Sequence, residues 1–410
     1  NMNKFRRYLP IAKNLYVQKQ PQITPTKVEP MTAQYVLQNK GYSLTDYEKQ
    51  EILSFQEIYY YGQKCCKNYG QNQFDDRDGD YNPLIGDHFQ YRYEILKLVG
   101  QGAFGKVYQV FDWKKLRQQA LKIIKNRKKY RKQGFIEIQI LEKLKHGDQN
   151  GLNNCIIFYN RGDFRNHLFM TFDLLPQDLQ QYMSKFDFKG LPMSVIKQIA
   201  QQLTKAMQYS YQLNIIHADI KPQNIMLTDQ NRVQVIDWGS GAFINQTVYQ
   251  YVQQRFYRAP EVILGMPYST EIDTWSMGCV FYELFTGQPI FQGENEFDQI
   301  GKICEVLGYP PRQMLEKAPR KREFFWDAGS DAVRLRTNHK VGSRRLTDLL
   351  KSAGRDFIEV VQKMLQWEPE QRIKMEDLKK LRFFEGVQWN TVKEKESVEN
   401  KLDVLLPDIK

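Results

Sequence analysis

The sequence has few cysteines and no long apolar run, and both absences narrow the classes of protein to which it can belong. Its five cysteines, an odd number, form no CxxC pairs of the kind that bind zinc. They favour a reducing compartment, in which thiols act as small buried hydrophobic side chains. No apolar stretch approaches the roughly 18 residues of a transmembrane helix, so we expect no membrane partner. The opening stretch NMNKFRRYLPIAKN also lacks the apolar core of a secretory signal.

The net charge is positive, and the charged residues are spread along the chain. A formal net charge of +12 and a pI of about 9.2 permit nucleic-acid or membrane partners without requiring them. The clearest basic run, KNRKKYRKQ (125–133), is either a nuclear-import signal or a solvated loop or helix start. A zinc pattern and an RNA-binding aromatic strand are both missing, so we expect no direct nucleic-acid binding. The expected location is cytoplasmic, nuclear or both.

The length of 410 residues suits two or three domains, and 41% hydrophobic residues can fill sizeable cores. Residues 1–22, rich in Pro, Lys and Gln, are interpreted as a flexible arm. Residues 23–72 contain helical pieces, among them LTDYEKQEIL, in which Thr45 can cap a helix start. An acidic, turn-rich box (73–94) follows, and residues 387–410 are interpreted as a C-terminal tail.

Short alternating strands begin at Tyr91, and long amphipathic helices dominate from about residue 190. This pattern predicts an α+β fold with a small β-rich lobe (91–175) and a larger helical lobe (176–386). A cleft between two such lobes is the expected ligand site. The stretch 310–345 is interpreted as an insert of structural loops.

A glycine-rich turn, GQGAFGKV, lies between two of these strands. Without side chains at Gly100, Gly102 and Gly105, the backbone can approach phosphate oxygens and offer N–H donors. Such turns also serve ordinary hairpins, so the motif alone is weak. Lys122 on the next strand can hold nucleotide phosphates, and Glu137 on a predicted helix can pair with that lysine.

A second set of motifs predicts phosphoryl-transfer chemistry. In HADIKPQN, Asp219 can accept the proton of a substrate hydroxyl, and Lys221 can neutralise a γ-phosphate. Asn224 and Asp237, the latter in VQVIDWG, offer the oxygen ligands that Mg²⁺ prefers. Each residue alone could be an ordinary surface polar group. An APE motif follows in turn, and the order of the whole set makes a chance match negligible.

In this order the motifs resemble those of eukaryotic protein kinases, from about Tyr91 to Phe384. The resemblance implies a bilobal kinase fold, ATP and Mg²⁺ as cofactors, and protein substrates. It also implies that Asp273 braces the catalytic loop and that Arg372 pairs with Glu261. The residues that it implies around the nucleotide are Val99, Val107, Ala120, the gatekeeper Phe172, the hinge residues Asp173, Leu174 and Leu175, the ribose-facing Asp178, Met226 and Ile236.

The segment VYQYVQQRFYRAPEVILG is similar to that of the dual-specificity tyrosine-phosphorylation-regulated kinases (DYRKs). The acidic box resembles the DYRK-homology box, and the accessory region resembles that of class 2 DYRKs. The resemblance implies Ser/Thr phosphorylation of substrates, with proline after the target residue. It also implies autophosphorylation of Tyr251, the second tyrosine of a pair with Tyr249. Arg255 and Arg258 would then bind the added phosphate and order the activation loop.

Three residues depart from the usual kinase pattern. Ala218 stands where many kinases have Arg, although DYRKs also place a small residue there. Trp238 replaces the Phe of DFG and is predicted to pack between His217 and Leu141. Gln223 stands where the family often has Glu, which puts the usual preference for Arg upstream of the target in doubt.

Other interpretations stay open at the level of sequence. The main alternative is a pseudokinase scaffold that binds partners without phosphoryl transfer, and regulatory or scaffold proteins are expected partners in either case. A nucleic-acid-binding module is a third and weaker interpretation. The accessory region is either a helper for tyrosine autophosphorylation or a packed extension that stabilises the small lobe.

Overall fold

The computed structural model describes residues 28–67, 74–148, 151–246, 249–327, 332–387 and 389. The predicted arm, and most of the predicted tail, lie outside these ranges. The chain divides into two compact units. The first consists of the residues up to Arg127 together with Asn160–Leu174, and the second consists of Lys128–Tyr159 and the residues from Leu175 onward.

The first unit is built on a six-stranded sheet in the order β1-β2-β3-β4-β6-β5. Buried and more exposed side chains largely alternate along β3 and β4, as expected for strands with one face on a core. The strands are β1 (His88–Phe89), β2 (Tyr93–Gln101), β3 (Gly105–Asp112), β4 (Arg117–Ile124), β5 (Phe158–Phe164) and β6 (His167–Phe172).

Two short helices, α1 (Ala33–Lys40) and α2 (Asp46–Glu51), precede the sheet. The predicted cap of α2 is confirmed. Thr45 Oγ1 accepts the N–H of Glu48 at 3.2 Å, and a Glu48 carboxylate oxygen accepts the N–H of Thr45 at 3.0 Å. This reciprocal capping box satisfies two backbone donors that a helix start leaves open.

The accessory helices, the acidic box and the sheet share one hydrophobic core. Val36 and Ile52 come from the accessory region, Tyr81 from the box, and Phe89 and Ile95 from the sheet, and all are almost completely buried. The accessory region is therefore a packed part of the first unit. The proposed helper role in autophosphorylation stays a prediction.

The second unit is mainly helical. Helix α7 is buried along almost its whole length because its sequence, EIDTWSMGCVFYELFT, is largely apolar on every side, and α5 and α12 pack against it. The helices are α3 (Lys128–Gly147), α4 (Leu179–Ser184), α5 (Met193–Gln212), α6 (Pro260–Ile263), α7 (Glu271–Thr286), α8 (Glu296–Leu307), α9 (Arg312–Lys317), α10 (Lys321–Phe324), α11 (Leu346–Leu349), α12 (Arg355–Met364) and α13 (Met375–Leu378).

Short strands of the second unit position loops between these helices. They form a three-stranded sheet in the order β10-β9-β7 and the two pairs β11-β8 and β12-β13. The strands are β7 (Gln177–Asp178), β8 (Ile215–Ile216), β9 (Ile225–Leu227), β10 (Val233–Val235), β11 (Ala242–Phe243), β12 (Phe325–Asp327) and β13 (Val333–Leu335). A β-rich unit and a mainly helical unit confirm the predicted α+β class.

Two further sequence expectations concern the basic run at residues 125–133 and membrane-spanning helices. Most of the basic run (128–133) lies at the start of α3, where Lys128 and Lys129 are exposed. Its role as a nuclear-import signal stays a prediction. Within the described ranges, every helix is too short or too polar to cross a bilayer.

Candidate active site

The loop that follows β8 holds Asp219 between a cation and an amide. Lys221 Nζ lies 2.6 Å from Asp219 Oδ2. Asn224 Nδ2 donates to the same carboxylate oxygen at 3.0 Å and to the Asp219 backbone carbonyl at 2.9 Å. Because both side-chain contacts engage Oδ2, Oδ1 is the oxygen available to accept a proton from a substrate hydroxyl.

Asp273 of α7 fixes the backbone of this loop through two hydrogen bonds. Its two carboxylate oxygens accept the N–H of His217 at 2.7 Å and the N–H of Ala218 at 2.9 Å. Burial raises the pKa of Asp273 to about 7, although the two backbone donors favour the ionised form. These contacts confirm the brace that the kinase resemblance implies.

His217 links the loop to the strand that leads to Asp237. Its Nδ1 accepts the N–H of Asp219 at 3.2 Å, and its Nε2 lies 2.9 Å from the carbonyl of Ile236. A neutral imidazole protonated on Nε2 satisfies both contacts, and burial lowers the pKa of His217 in agreement with the neutral form. The histidine therefore acts as a fixed spacer between the two segments.

Trp238 is fully buried, and its ring centroid lies 4.6 Å from that of His217. Helix α3, which carries Leu141, packs against the turn Trp238–Ser240. The predicted contact of the indole with His217 is confirmed.

The predicted metal ligands meet the requirements of Mg²⁺ in their chemistry. Asn224 uses its amide nitrogen for Asp219, which leaves its amide oxygen as the ligand atom. Asp237 adds a carboxylate at the end of β10, in a left-handed conformation with φ 58°. An amide oxygen and a carboxylate are hard ligands of the kind that Mg²⁺ takes, so these residues fit the ion.

The first unit carries the glycine-rich turn between β2 and β3. A Cβ at Gly105, where φ is 157°, would lie 2.0 Å from the Ile123 carbonyl, so β4 itself requires this glycine. A Cβ at Gly102 would meet nothing within 4 Å, and one at Gly100 only Val107 at 3.9 Å. The fold does not need these two glycines for packing, which fits the close approach of a phosphate.

Cross-strand pairs position the other residues of the first unit that are predicted to bind the nucleotide. Lys122 lies opposite Val107 on β3 and Met170 on β6, and Ala120 lies opposite Phe172. Val99 is roughly half exposed, at an irregularity of β2, and Asp173 follows β6.

The second unit holds the remaining predicted residues. Asp178 pairs with Met226 between β7 and β9, and it also caps α4 by accepting the N–H of Gln181 at 2.7 Å. Burial raises the pKa of Asp178. Glu137 is buried on α3, and Leu175 opens the segment before β7. The predicted Lys122–Glu137 pair stays a prediction.

Tyr251 is half exposed and contacts Arg258. The Arg258 guanidinium donates to the Tyr251 hydroxyl, and its carbon lies 3.8 Å from the ring centroid. Arg255 instead donates to the carbonyl of Glu294 at 2.8 Å. The Tyr249 carbonyl accepts a hydrogen bond from Tyr268, at 2.5 Å. Of the two arginines predicted to bind the phosphate, Arg258 already contacts the tyrosine.

Gln253 is a residue of this site that the sequence motifs did not single out. Its side chain donates to the Ile272 carbonyl and to Ser276 Oγ, both at 2.8 Å, and accepts the N–H of Ala259 at 2.9 Å. Its own carbonyl accepts a hydrogen bond from Arg258 Nη2 at 2.6 Å. No local pattern could reveal this, because each partner becomes a neighbour only in the folded chain.

The activation segment ends in a buried ion pair. Arg372 donates to both carboxylate oxygens of Glu261, each at 2.6 Å, and both side chains are almost fully buried. The bidentate geometry confirms the pair that the kinase resemblance implies.

The matches with known proteins agree with this geometry. Residues 93–384 match the sequence profile described as protein kinase domain, so the fold and site define a protein kinase. Dual specificity tyrosine-phosphorylation-regulated kinase 2 of Drosophila melanogaster is 39% identical over 360 residues, which cover 84% of this chain and 50% of the fly protein. Kinase 3 of this series from Mus musculus is 40% identical over 377 residues, 85% of this chain and 64% of the mouse protein.

Kinase 4 of the series from Homo sapiens is 38% identical over 354 residues, which cover 84% of this chain and 68% of the human protein. The chain belongs to the dual-specificity tyrosine-phosphorylation-regulated kinase family. It spans about half the length of the fly relative and just under two thirds of the mouse relative.

Proposed function

We propose that this chain transfers the γ-phosphate of ATP to Ser and Thr residues of protein substrates. The observation that carries the proposal is the geometry around Asp219, whose Oδ2 is held by Lys221 and Asn224 while Oδ1 is left for the substrate. A carboxylate fixed in this way can accept the proton of an attacking hydroxyl.

The other residues keep this carboxylate in place and bind phosphate charge. Asp273 and His217 hold the loop backbone, so Asp219 does not need to reorganise when a substrate binds. Lys221 is placed to neutralise charge on the transferred group. Asn224 and Asp237 would hold Mg²⁺, which when bound supplies charge neutralisation at the ATP phosphates.

The proposed substrates carry proline after the target residue. Gln253 lies beside the catalytic loop, where its N–H donates to the Ala218 carbonyl at 3.1 Å. Its own carbonyl already accepts a hydrogen bond from Arg258, so a substrate N–H cannot use it without competing. Proline has no N–H, so it leaves no backbone donor without a hydrogen bond at such a position. This supports the proline preference.

The proposed activating event is autophosphorylation of Tyr251. A phosphate there adds roughly −1.5 to −2 charges and three acceptor oxygens. Arg258 already donates to the tyrosine hydroxyl and Arg255 lies four residues along the chain, so both guanidinium groups can bind the phosphate. Regulatory or scaffold proteins as partners, and a cytoplasmic or nuclear location, stay proposals.

The decisive experiment compares the wild-type chain with Asp219→Asn in an assay with Mg·ATP and a protein substrate. Mass spectrometry should find phosphoserine and phosphothreonine on the substrate and phosphate on Tyr251. The variant should lose at least about 10²-fold of the transfer rate, since it removes the proton acceptor. Asp229→Asn, the same change on an exposed turn, is the control and should remain active.

Two results would contradict the proposal. If wild type and Asp219→Asn both failed to transfer phosphate, the pseudokinase alternative would replace it. A fully active chain with unmodified Tyr251 would refute the activation step while leaving the kinase activity in place.

A further inference from the structure

Two neutral amides meet beside the catalytic loop. Gln223, in the loop, donates from Nε2 to Oε1 of Gln180 on α4 at 2.9 Å. Both side chains are partly exposed, so the pair lies at the surface of the second unit. We call it the Gln180–Gln223 pair.

The Gln180–Gln223 pair is within reach of a peptide that presents its hydroxyl to Asp219. Gln223 directly precedes Asn224, whose amide nitrogen lies 3.0 Å from Asp219 Oδ2. An extended peptide advances about 3.3–3.6 Å per residue, so a side chain two or three positions from the target residue spans this distance. A flanking substrate residue can therefore reach the pair.

The surroundings of the pair offer little to a positively charged side chain. Helix α4 contains no acidic residue in its sequence LQQYMS, and the loop HADIKPQN contains one, Asp219. That carboxylate is paired with Lys221, and Asp178 at the start of α4 accepts the N–H of Gln181. An arginine placed here would lose hydration without gaining an uncommitted carboxylate.

The pair does leave hydrogen-bonding capacity for a neutral partner. Oε1 of Gln223 is enclosed and has no hydrogen-bond donor among the described residues. An enclosed acceptor without a donor costs roughly 1–3 kcal/mol, so a small rotation that brings it to a substrate donor is favourable. Gln180 can remain in contact during this rotation because its amide offers both a donor and an acceptor.

We propose that the Gln180–Gln223 pair is a neutral specificity subsite that accepts uncharged hydrogen-bonding side chains, such as Asn, Gln or Ser, and does not select Arg or Lys. The inference rests on the proposed kinase function and defines its substrate class more closely. It assigns the two glutamines a role in binding the substrate and none in the transfer of phosphate.

The test uses a peptide library with a fixed Ser-Pro target and varied flanking positions. The wild-type chain should phosphorylate peptides with a flanking Arg and their Gln counterparts at rates within about threefold, since no charge is available for a charge-assisted bond. Gln223→Glu should prefer the Arg peptide by about tenfold or more. The change conserves shape, and Gln180 can turn its amide to donate to the new carboxylate.

A second variant and a control keep the test decisive. Gln180→Glu places the charge on the other side of the pair with Gln223 still as its donor, and it should show the same gain for Arg. Gln181→Glu adds the same charge to the same helix, and its carboxylate can still accept the N–H of Asp178, which Gln181 Oε1 accepts at 3.2 Å. This control should show no such gain.

The outcomes separate the inference from the proposed function. A wild-type chain that strongly selects Arg, or glutamate variants with unchanged selection, would overturn the inference while the kinase activity stood. A wild-type chain that phosphorylates none of the peptides would overturn the proposed function and this inference with it.

Discussion

Ala218, Asp237 and Gln253 share a left-handed backbone, with φ values of 61°, 58° and 67°. For residues other than glycine this conformation costs on the order of 1–3 kcal/mol, and it persists only where the surroundings hold it. Asp273 holds the N–H of Ala218, and Arg258 holds the carbonyl of Gln253. These three strained residues lie beside the residues proposed to bind substrate and metal, although other non-glycine residues of the chain share the conformation.

At the residue scale, the sequence predicted the chemistry but not these conformations. The motifs identified Asp219, Lys221 and Asn224 because the order of residues along the chain is itself the signal. The three hydrogen bonds of the Gln253 side chain join it to residues six to 23 positions away, and only the fold brings them together. The clamp role of Arg255 depends on a phosphate and stays a prediction.

A buried carboxyl group predicts how stability depends on pH. Glu283 of α7 accepts a hydrogen bond from the Tyr257 hydroxyl at 2.7 Å, and burial raises the pKa of Glu283 to about 7. The folded state therefore keeps a proton that the unfolded state has released, and the unfolding free energy falls as pH rises from about 4.5 to 7. Glu283→Gln should flatten this fall, since it can still accept the tyrosine hydroxyl.

Urea unfolding of wild type and Glu283→Gln at pH 5, 6, 7 and 8 measures the difference. Some pH dependence should remain in the variant, because burial raises the pKa of Asp273 to about 7 as well. Glu294→Gln changes an exposed carboxyl group and should behave like wild type. Equal slopes for all three proteins would show that Glu283 does not titrate in this range.

At the element scale, α2 illustrates how a helix too short to be stable alone is fixed in place. Six residues are well below the length at which isolated helices form in water. The helix relies on its capping box and on Glu48, whose carboxylate lies 2.8 Å from both Lys67 Nζ and His88 Nε2 and 3.3 Å from Arg165 Nη2. These four side chains, together with Asp87, form what we call the Glu48 cluster.

The Glu48 cluster contains a set of possible metal ligands, but the ammonium group of Lys67 already lies among them. Glu48, Asp87 and His88 lie close enough together to hold an ion. Lys67 Nζ lies between the two carboxylates, 2.8 Å from that of Glu48 and 3.3 Å from that of Asp87. The ammonium group supplies the positive charge that this buried site needs.

Removal of Glu48 should destabilise the protein strongly. Glu48→Ala leaves Lys67 and Arg165 buried with fewer counter-charges, and breaking a buried pair from one side costs about 3–5 kcal/mol. The unfolding free energy from chemical denaturation measures the loss. Asp46→Ala, which removes an exposed ion pair with Lys49 on the same helix, is the control and should have little effect. Equal effects of the two substitutions would contradict the assignment.

The sequence predicted the cap of α2 because the cap is local, within four consecutive residues. It did not predict the Glu48 cluster, whose members lie up to 117 positions apart along the chain. Charged residues scattered in this way are normally solvated, and nothing in their spacing marks them as buried partners.

At the scale of the whole molecule, the accessory region should matter for stability. Deletion of residues 1–72 removes Val36, Ile52 and Ile58 from the core of the first unit and takes Glu48 and Lys67 from the cluster. The melting temperature should fall by several degrees or more. Phosphate on Tyr251 should be measured in the same samples by mass spectrometry.

Comparison of the deletion with Glu48→Ala tests the two roles of the accessory region. Both should lower the melting temperature, but only the deletion removes the whole surface of the region. If Tyr251 phosphate falls in both in proportion to stability, the region is a packed extension. Loss of phosphate in the deletion that exceeds the loss in Glu48→Ala at a comparable melting temperature would instead support the helper role.

The class of fold and the family were predictable because kinase motifs occur in a fixed order along the chain. The packing of the accessory region against the sheet was not predictable. Apolar residues such as Ile52 and Ile58 do not indicate, in sequence, which core they enter. The resemblance covers this region, but the packing comes from the structure.

Trp238 can serve as an optical label at the proposed metal site. The indole follows Asp237 directly, is shielded from water and packs against His217. Its fluorescence should therefore be blue-shifted and protected from iodide. In a variant that keeps Trp238 as its single tryptophan, a turn of Asp237 that brought the ring into solvent would shift the emission to the red, so movement of this carboxylate could be followed without any added dye.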